Sequence, residues 1–120
     1  MSDKKTKVLG AVESKKIKLS TIEELLMTVL TTQVRELYGL EISEAIEKVS
    51  GDYAVSFGAL YPALRRLEEK GFVVSRWGDE TEERGGARRR YYQVTADGIE
   101  ALNKIQNIRQ QLSKLILVPA

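Results

Sequence analysis

Arginine and tyrosine are the residues that this chain has in positions to do chemistry. Arg65 and Arg66 follow Tyr61 and Pro62 on a helix-periodic stretch, and Arg88, Arg89 and Arg90 lead into Tyr91 and Tyr92 on a β-rich run. A guanidinium offers a rigid fork of N–H donors that suits phosphate oxygens and the paired acceptors of guanine, so the chemistry on offer is recognition of a polyanion. Catalysis has little to work with. The sequence contains no histidine and no cysteine, which removes an imidazole base, a thiolate nucleophile, a disulfide and a Cys/His zinc site. The clustered carboxylates Asp79, Glu80, Glu82 and Glu83 fall in a predicted loop, a poor platform for acid–base work, and no Gly-rich phosphate loop joins a strand to a helix. Neither an enzyme nor a cofactor is expected.

Positioning those arginines requires a helix feeding a β-hairpin. Leu60, Leu64 and Leu67, with Phe57, mark one apolar helical face; Ser56 is a suitable N-cap and Gly71 a stop. The leucines point inward, leaving Ala59, Tyr61, Pro62, Arg65 and Arg66 on or near the outer surface. Pro62 removes one backbone hydrogen bond and crowds the carbonyl of Gly58. If the helix begins near Ser56 that carbonyl lies in the first turn, so a tightened turn is expected rather than a break. Phe72 to Trp77 and Arg88 to Val94 read as strands around a long polar tip, Gly78 to Ala87. Period two puts Tyr92 and Val94 on a face with Arg90, and Tyr91 on the other with Arg89; one tyrosine should face the core.

Upstream, Ser20 and Glu23 form a capping-box pattern before Ile22, Leu25, Leu26, Val29 and Leu30, predicting a helix over about 21–34. Tyr38 and Gly39 interrupt it. Ile42, Ala45, Ile46 and Val49 give a second helix closing before Gly51. Downstream, Thr95 caps a last helix over about 96–117, on the order of 33 Å long. Its Leu102, Ile105, Ile108, Leu112, Leu115 and Ile116 share one apolar arc, more than so small a body can cover, which predicts a dimerisation helix packing with its mate and with the first helix of the partner, a helix folded back on its own domain being the lesser reading.

The expected architecture is therefore α+β, mainly α: a winged helix-turn-helix of three helices plus a β-hairpin wing, with a long C-terminal dimerisation helix. A basic arm occupies 1–18, the winged-helix domain 19–95 and the dimerisation helix 96–120. Charge follows this division. The arm has six lysines against Asp3 and Glu13, residues 19–52 have Arg35 and Lys48 against seven acids, and residues 53–94 have eight basic and six acidic residues. Positive charge thus gathers in the arm and in the helix–hairpin unit, although the net charge is only +2. The arm reads as a phosphate-seeking tail or as a solubilising terminus. No stretch has the length of a membrane span and no secretory-signal pattern stands at the N-terminus, so a cytoplasmic protein without a membrane partner is expected.

The DNA-facing set is Ser56, Ala59, Tyr61, Pro62, Arg65, Arg66, Arg88, Arg89 and Arg90. Ser56, Tyr61 and Arg65 are expected in the groove, with packing against a neighbouring helix or a partner subunit an equal reading for Tyr61. Trp77 is expected to pack at the strand end, stacking on a ligand being the lesser reading. A winged helix used purely as a protein-interaction scaffold fits the modest charge and the acidic tip as a second reading.

Tyr38-Gly39 with Ile42, the run Gly58 to Glu68, Gly71, the run Arg89 to Thr95, and Gly98 together resemble the signature of the PadR family of transcriptional regulators, over about residues 20–116. The resemblance implies a prokaryotic winged-helix regulator, usually a repressor, that binds a palindromic operator as a homodimer. It also implies the short form of the family, with one C-terminal helix, and a small aromatic or lipophilic effector held between subunits, phenolic acids being the namesake inducers. Two features depart from the pattern. Ala59 stands where the family often has Thr or Ser, and the loop between Trp77 and Arg88 is acidic.

Overall fold

The computed structural model describes residues 17–33, 35–79 and 88–116. The basic arm, but for its last two residues, and Glu80, Glu82, Glu83 and Arg84 of the hairpin tip lie outside the described residues. Four helices and three strands follow one another as α1 (Thr21–Thr32), β1 (Leu37–Tyr38), α2 (Gly39–Ser50), α3 (Phe57–Glu69), β2 (Val73–Trp77), β3 (Arg90–Val94) and α4 (Ala96–Ile116). The α+β, mainly helical winged-helix class expected from the sequence is the one observed.

Local signals set most of the boundaries. Ser20 Oγ accepts the Glu23 N–H at 3.2 Å while Glu23 Oε1 accepts the Ser20 N–H at 3.0 Å, so the capping box starts α1. Ser56 Oγ caps α3 by accepting the Ala59 N–H, and Thr95 Oγ1 caps α4 by accepting the Gly98 N–H. At the end of α3, Gly71 adopts φ 81°, with its N–H on the Glu68 carbonyl and the Phe72 N–H on the Leu67 carbonyl. These two bonds close a Schellman motif, and the left-handed residue in it favours glycine. Pro62 does not interrupt α3. The Ser56 carbonyl accepts from both Ala59 and Leu60 N–H, at 3.0 and 2.9 Å, so the first turn, in which Pro62 falls opposite Gly58, is tight.

Helix α3 lies at the centre of the core. Leu60, Ala63, Leu64 and Leu67 are fully buried against Leu26, Met27 and Leu30 of α1 and Ile42 and Ile46 of α2. Complete burial of each leucine contributes roughly 1.5–3 kcal/mol. Phe57, grouped with these leucines by periodicity, is half exposed because the first turn of α3 projects past the core.

Three further differences from expectation appear. Helix α1 ends at Thr32, with Gln33 extended. Val49, assigned to the inner face of α2, is 88% exposed and lines a surface groove between α1 and α2. The interruption at Tyr38 is a strand: β1 pairs antiparallel with β3, Leu37 opposite Tyr92 and Tyr38 opposite Tyr91, giving the sheet order β1-β3-β2. Two residues carry no detectable period, and the pairing that makes them a strand comes from a segment more than fifty residues away.

The hairpin keeps its alternation. Val73 pairs with Val94, Ser75 with Tyr92 and Trp77 with Arg90, so one face runs from the apolar core out to an indole beside a guanidinium. Tyr92 is buried and Tyr91 lies on the opposite face, as period two predicts.

Candidate nucleic-acid interface

Helix α3 presents Ala59, Tyr61, Pro62, Arg65 and Arg66 as exposed residues, with Ser56 exposed at its cap. They do not all face the same way. Arg65 makes no hydrogen bond or ion pair with the described residues and reaches outward from the middle of the helix. Arg66 is turned toward α1, where its Nε donates to Glu23 Oε2 at 2.6 Å. Lys70 meets the other oxygen of the same carboxylate at 2.9 Å and also donates to the Lys18 carbonyl. Glu23 is the buried charged residue of the described core, with 2% exposure. Burial pushes its carboxyl up, but hydrogen bonds from Arg66, Lys70 and the Ser20 N–H outweigh burial and hold it below the ordinary carboxylate range. Arg66 thus ties α3 to α1.

Tyr61 leans the other way, onto the start of α2. A Cβ added at Gly39 would lie 2.1 Å from the Tyr61 hydroxyl, so the absence of a side chain at Gly39 admits the phenol. The Tyr61 ring also packs at 5.7 Å from Phe57 and remains 41% exposed. This matches the helix-packing reading of Tyr61 while leaving one side of the ring on the surface.

The wing arginines are ordered by aromatic rings. Arg89 lies 4.4 Å over the Tyr38 ring, Arg90 lies 4.8 Å over Trp77, and Arg88 approaches Trp77 from 5.8 Å while its Nε donates to the Gly78 carbonyl. Trp77 does sit at the strand end, but half exposed and beneath these cations. Arg90 approaches Glu68 of α3 at 3.8 Å, and Ser75 Oγ donates to the same carboxylate at 2.5 Å, joining the hairpin to α3. On the opposite face, Arg76 pairs with Glu36 at 2.8 Å and lies 5.0 Å over Tyr91, which meets Tyr38 edge-on. The partners of these arginines that sequence reasoning missed are Glu23, Glu36, Tyr38 and Glu68. The Tyr38-Gly39 pair was visible as a break, but nothing local showed which arginine would cover it.

Helix α4 divides in two. Leu102 is buried with Ala101 in the domain's own core and Ile105 is half-buried, so the assignment of Leu102 to a partner contact gives way to an internal one. Arg109 closes this internal half with a bidentate pair to Glu24 of α1, at 2.7 and 3.0 Å. Beyond it Ile108, Leu112 and Leu115 are 49, 54 and 69% exposed, and the Ile116 side chain lies outside the described residues.

Among the described residues no helix is long and apolar enough to cross a membrane, and no group of acidic side chains is arranged to hold a metal. Comparison with known proteins agrees with the geometry. The signature of the transcriptional regulator PadR-like family matches residues 26–104. A transcriptional regulator of Mycobacterium tuberculosis is 33% identical over 82 residues, covering 68% of this chain and 71% of that protein. A transcriptional regulator from Clostridium thermocellum superposes with a TM-score of 0.65 at 30% identity, over 78% of this chain and 87% of its own. A PadR family transcription regulator from Clostridium difficile R20291 gives 0.64 at 27% identity, over 81 and 95%. These relatives are regulators of transcription and not enzymes. A recognition helix braced by α1, a wing of ring-stacked arginines and the matched signature lead to one assignment: this chain belongs to the PadR-like family of transcriptional regulators.

Proposed function

We propose that this chain binds a palindromic operator as a homodimer, acting as a cytoplasmic repressor that a small aromatic or lipophilic effector releases. The observation that carries the DNA-binding part is the placement of Arg65, outward and without a partner among the described residues, on a helix whose flank is joined to the arginine-rich wing through Glu68. In a two-fold dimer the two α3 helices enter successive major grooves about 34 Å apart, with Ser56, Ala59, Pro62 and Arg65 toward the bases and Arg88, Arg89 and Arg90 toward phosphates.

The dimer reading rests on the outer half of α4. Ile108, Leu112 and Leu115 form an apolar ridge, and α1 and α2 enclose an apolar groove of about 550 Å³ lined by Leu25, Val29, Ile46, Val49 and Tyr53. A second copy covers both surfaces when its α4 packs on its mate and on the first helix. An effector held between subunits finds its apolar walls in the same place. Repression and the palindrome come from the family resemblance.

The test is selection of genomic fragments by the purified protein, followed by titration of the best fragment against random duplex at two salt concentrations. Arg65→Ala is expected to weaken operator binding by about 1–3 kcal/mol and to relax sequence preference, whereas Arg89→Ala weakens all duplexes alike and lowers the salt slope by about one. Equal affinity of both variants for operator and random duplex would sink the assignment of these side chains.

A further inference from the structure

The N-terminal tip of α3 is apolar where a helix that reads polar groups would carry donors. No charged residue stands between Asp52 and Arg65. Within that run Ser56 is engaged as the cap, accepting the Ala59 N–H, and Tyr61 rests its hydroxyl over Gly39. Phe57, the first residue of α3, is 50% exposed although it shares its periodicity with the buried leucines. The Cα–Cβ bonds of a helix tilt toward its N-terminus, so a side chain on the first residue projects past the helix end. The Phe57 ring meets the Tyr61 ring at 5.7 Å, and Tyr61 is in turn seated on Gly39 of α2, which gives the exposed ring a support on the body of the domain. A Cβ added at Gly58 would have the Ser56 Oγ, at 3.9 Å, as its close neighbour among the described residues outside the helix backbone and the adjoining residues. Open space thus flanks the tip. A lone exposed aromatic is common on a protein surface, but this one stands at the leading end of α3 and is held from behind.

We infer that Phe57 reads the 5-methyl group of a thymine in each operator half-site, its ring packing on the methyl in the major groove while Arg65 takes a polar base edge two turns further along the same helix. The inference rests on the operator-binding reading and adds to it a residue that selects a base. In the major groove the base pairs present hydrogen-bonding atoms and one apolar group, the thymine methyl. A phenyl ring has no N–H or oxygen for the former and suits the latter. Phosphate is a poor match for the same reason, since the ring brings neither charge nor donor to it. Wedging an aromatic side chain between base steps is the other way in which such a ring engages DNA, but that is done from the minor groove, whereas the groove that admits a helix is the major one. Tyr61 then acts as a positioning residue, because it backs the Phe57 ring.

The test replaces the thymines of the selected operator by deoxyuridine, one at a time, which deletes the methyl group and leaves every hydrogen-bonding atom in place. Binding is titrated with the full-length wild type, Phe57→Ala, Phe57→Leu and Arg65→Ala. Uracil at one position in each half-site is expected to weaken the wild type about fourfold, the effect of one buried methyl group. Arg65→Ala should lose the same factor, because Arg65 lies about 12 Å along the helix from Phe57 and the two contacts are independent. Phe57→Ala should bind the thymine and uracil duplexes within about 1.5-fold of each other, and Phe57→Leu, which keeps an apolar side chain at the helix start, should fall between. If no thymine shows a loss that Phe57→Ala abolishes, the methyl contact is refuted while operator binding stands. A Phe57→Ala variant that binds every duplex as the wild type does, and instead loses self-association in sedimentation velocity, would also overturn it and assign the ring to a protein contact. Failure of the wild type to bind any duplex would refute the operator reading, and the methyl contact with it.

Discussion

Replacing Glu23 by Gln tests how α3 is held. The carboxylate joins Arg66 at 2.6 Å, Lys70 at 2.9 Å and the Ser20 N–H at 3.0 Å, and its side chain is 3% exposed. Glutamine keeps the volume and one carbonyl acceptor but sets an amide N–H₂ or an uncharged oxygen against each cation. A hydrogen bond to a charged group contributes about 1.5–3 kcal/mol, which puts the two charged contacts at about 3–6 kcal/mol. That is an upper bound, for two reasons. The side chains of Arg66 and Lys70 are 47 and 30% exposed and regain water when the partner goes, and a neutral amide costs less to bury than a carboxylate. The expected loss is about 2 kcal/mol, measured by urea unfolding at fixed protein concentration and neutral pH. The Glu23 carboxyl is lowered in the folded state, so its contribution is fully present above the unfolded value of about 4.3 and disappears as pH falls through the lower folded value. The gap between wild type and variant should therefore be constant at neutral pH and close in acid. A loss below about 0.5 kcal/mol, or a gap that does not change with acidification, would refute the view that this carboxylate braces the helix.

Two more outcomes follow from the packing. Gly98→Ala places a Cβ 2.3 Å from the Phe72 carbonyl oxygen and 2.8 Å from a Val94 methyl; backbone cannot swing aside, so thermal unfolding should report a loss at or above the upper end of the roughly 1–3 kcal/mol typical of overpacking. Leu102 and Leu112 should behave oppositely despite sharing a helix. Leu102→Ala is expected to cost about 2–5 kcal/mol in unfolding experiments extrapolated to a common protein concentration, whereas Leu112→Lys should leave the fold intact and shift the proposed dimer to monomer in sedimentation velocity. A Leu112→Lys variant that remains as dimeric as the wild type would remove the outer half of α4 from the interface.

Helix α1 bears on both predictions. Its consecutive Glu23 and Glu24 engage different neighbours, the first binding Arg66 and Lys70 beside α3 and the second binding Arg109 of α4. The contact of α4 on α1 thus lies one residue away from the contact that braces α3. The α1–α2 groove is lined by the same helix, through Leu25 and Val29.

The sequence by itself was enough for the four helices, the hairpin and the caps at Ser20, Ser56 and Thr95. These depend on interactions within three or four residues or on the periodicity of one segment, and such information lies along the chain. It was enough also to put Tyr91 and Tyr92 on opposite faces and to keep the helix unbroken at Pro62, which follow from alternation and from the place of one missing N–H in the first turn. What the tertiary structure decided involves groups that meet across long separations. Arg66 and Glu23 are 43 residues apart, and Arg109 and Glu24 are 85 apart. A charged residue on an outer helical face looks the same in sequence whether it meets a carboxylate or solvent. The two-residue β1 carries too little pattern to announce itself and exists because β3 pairs with it. Helix α4 has one continuous apolar arc, and only the size of the body beneath it determines that Leu102 is covered and Leu112 is left exposed.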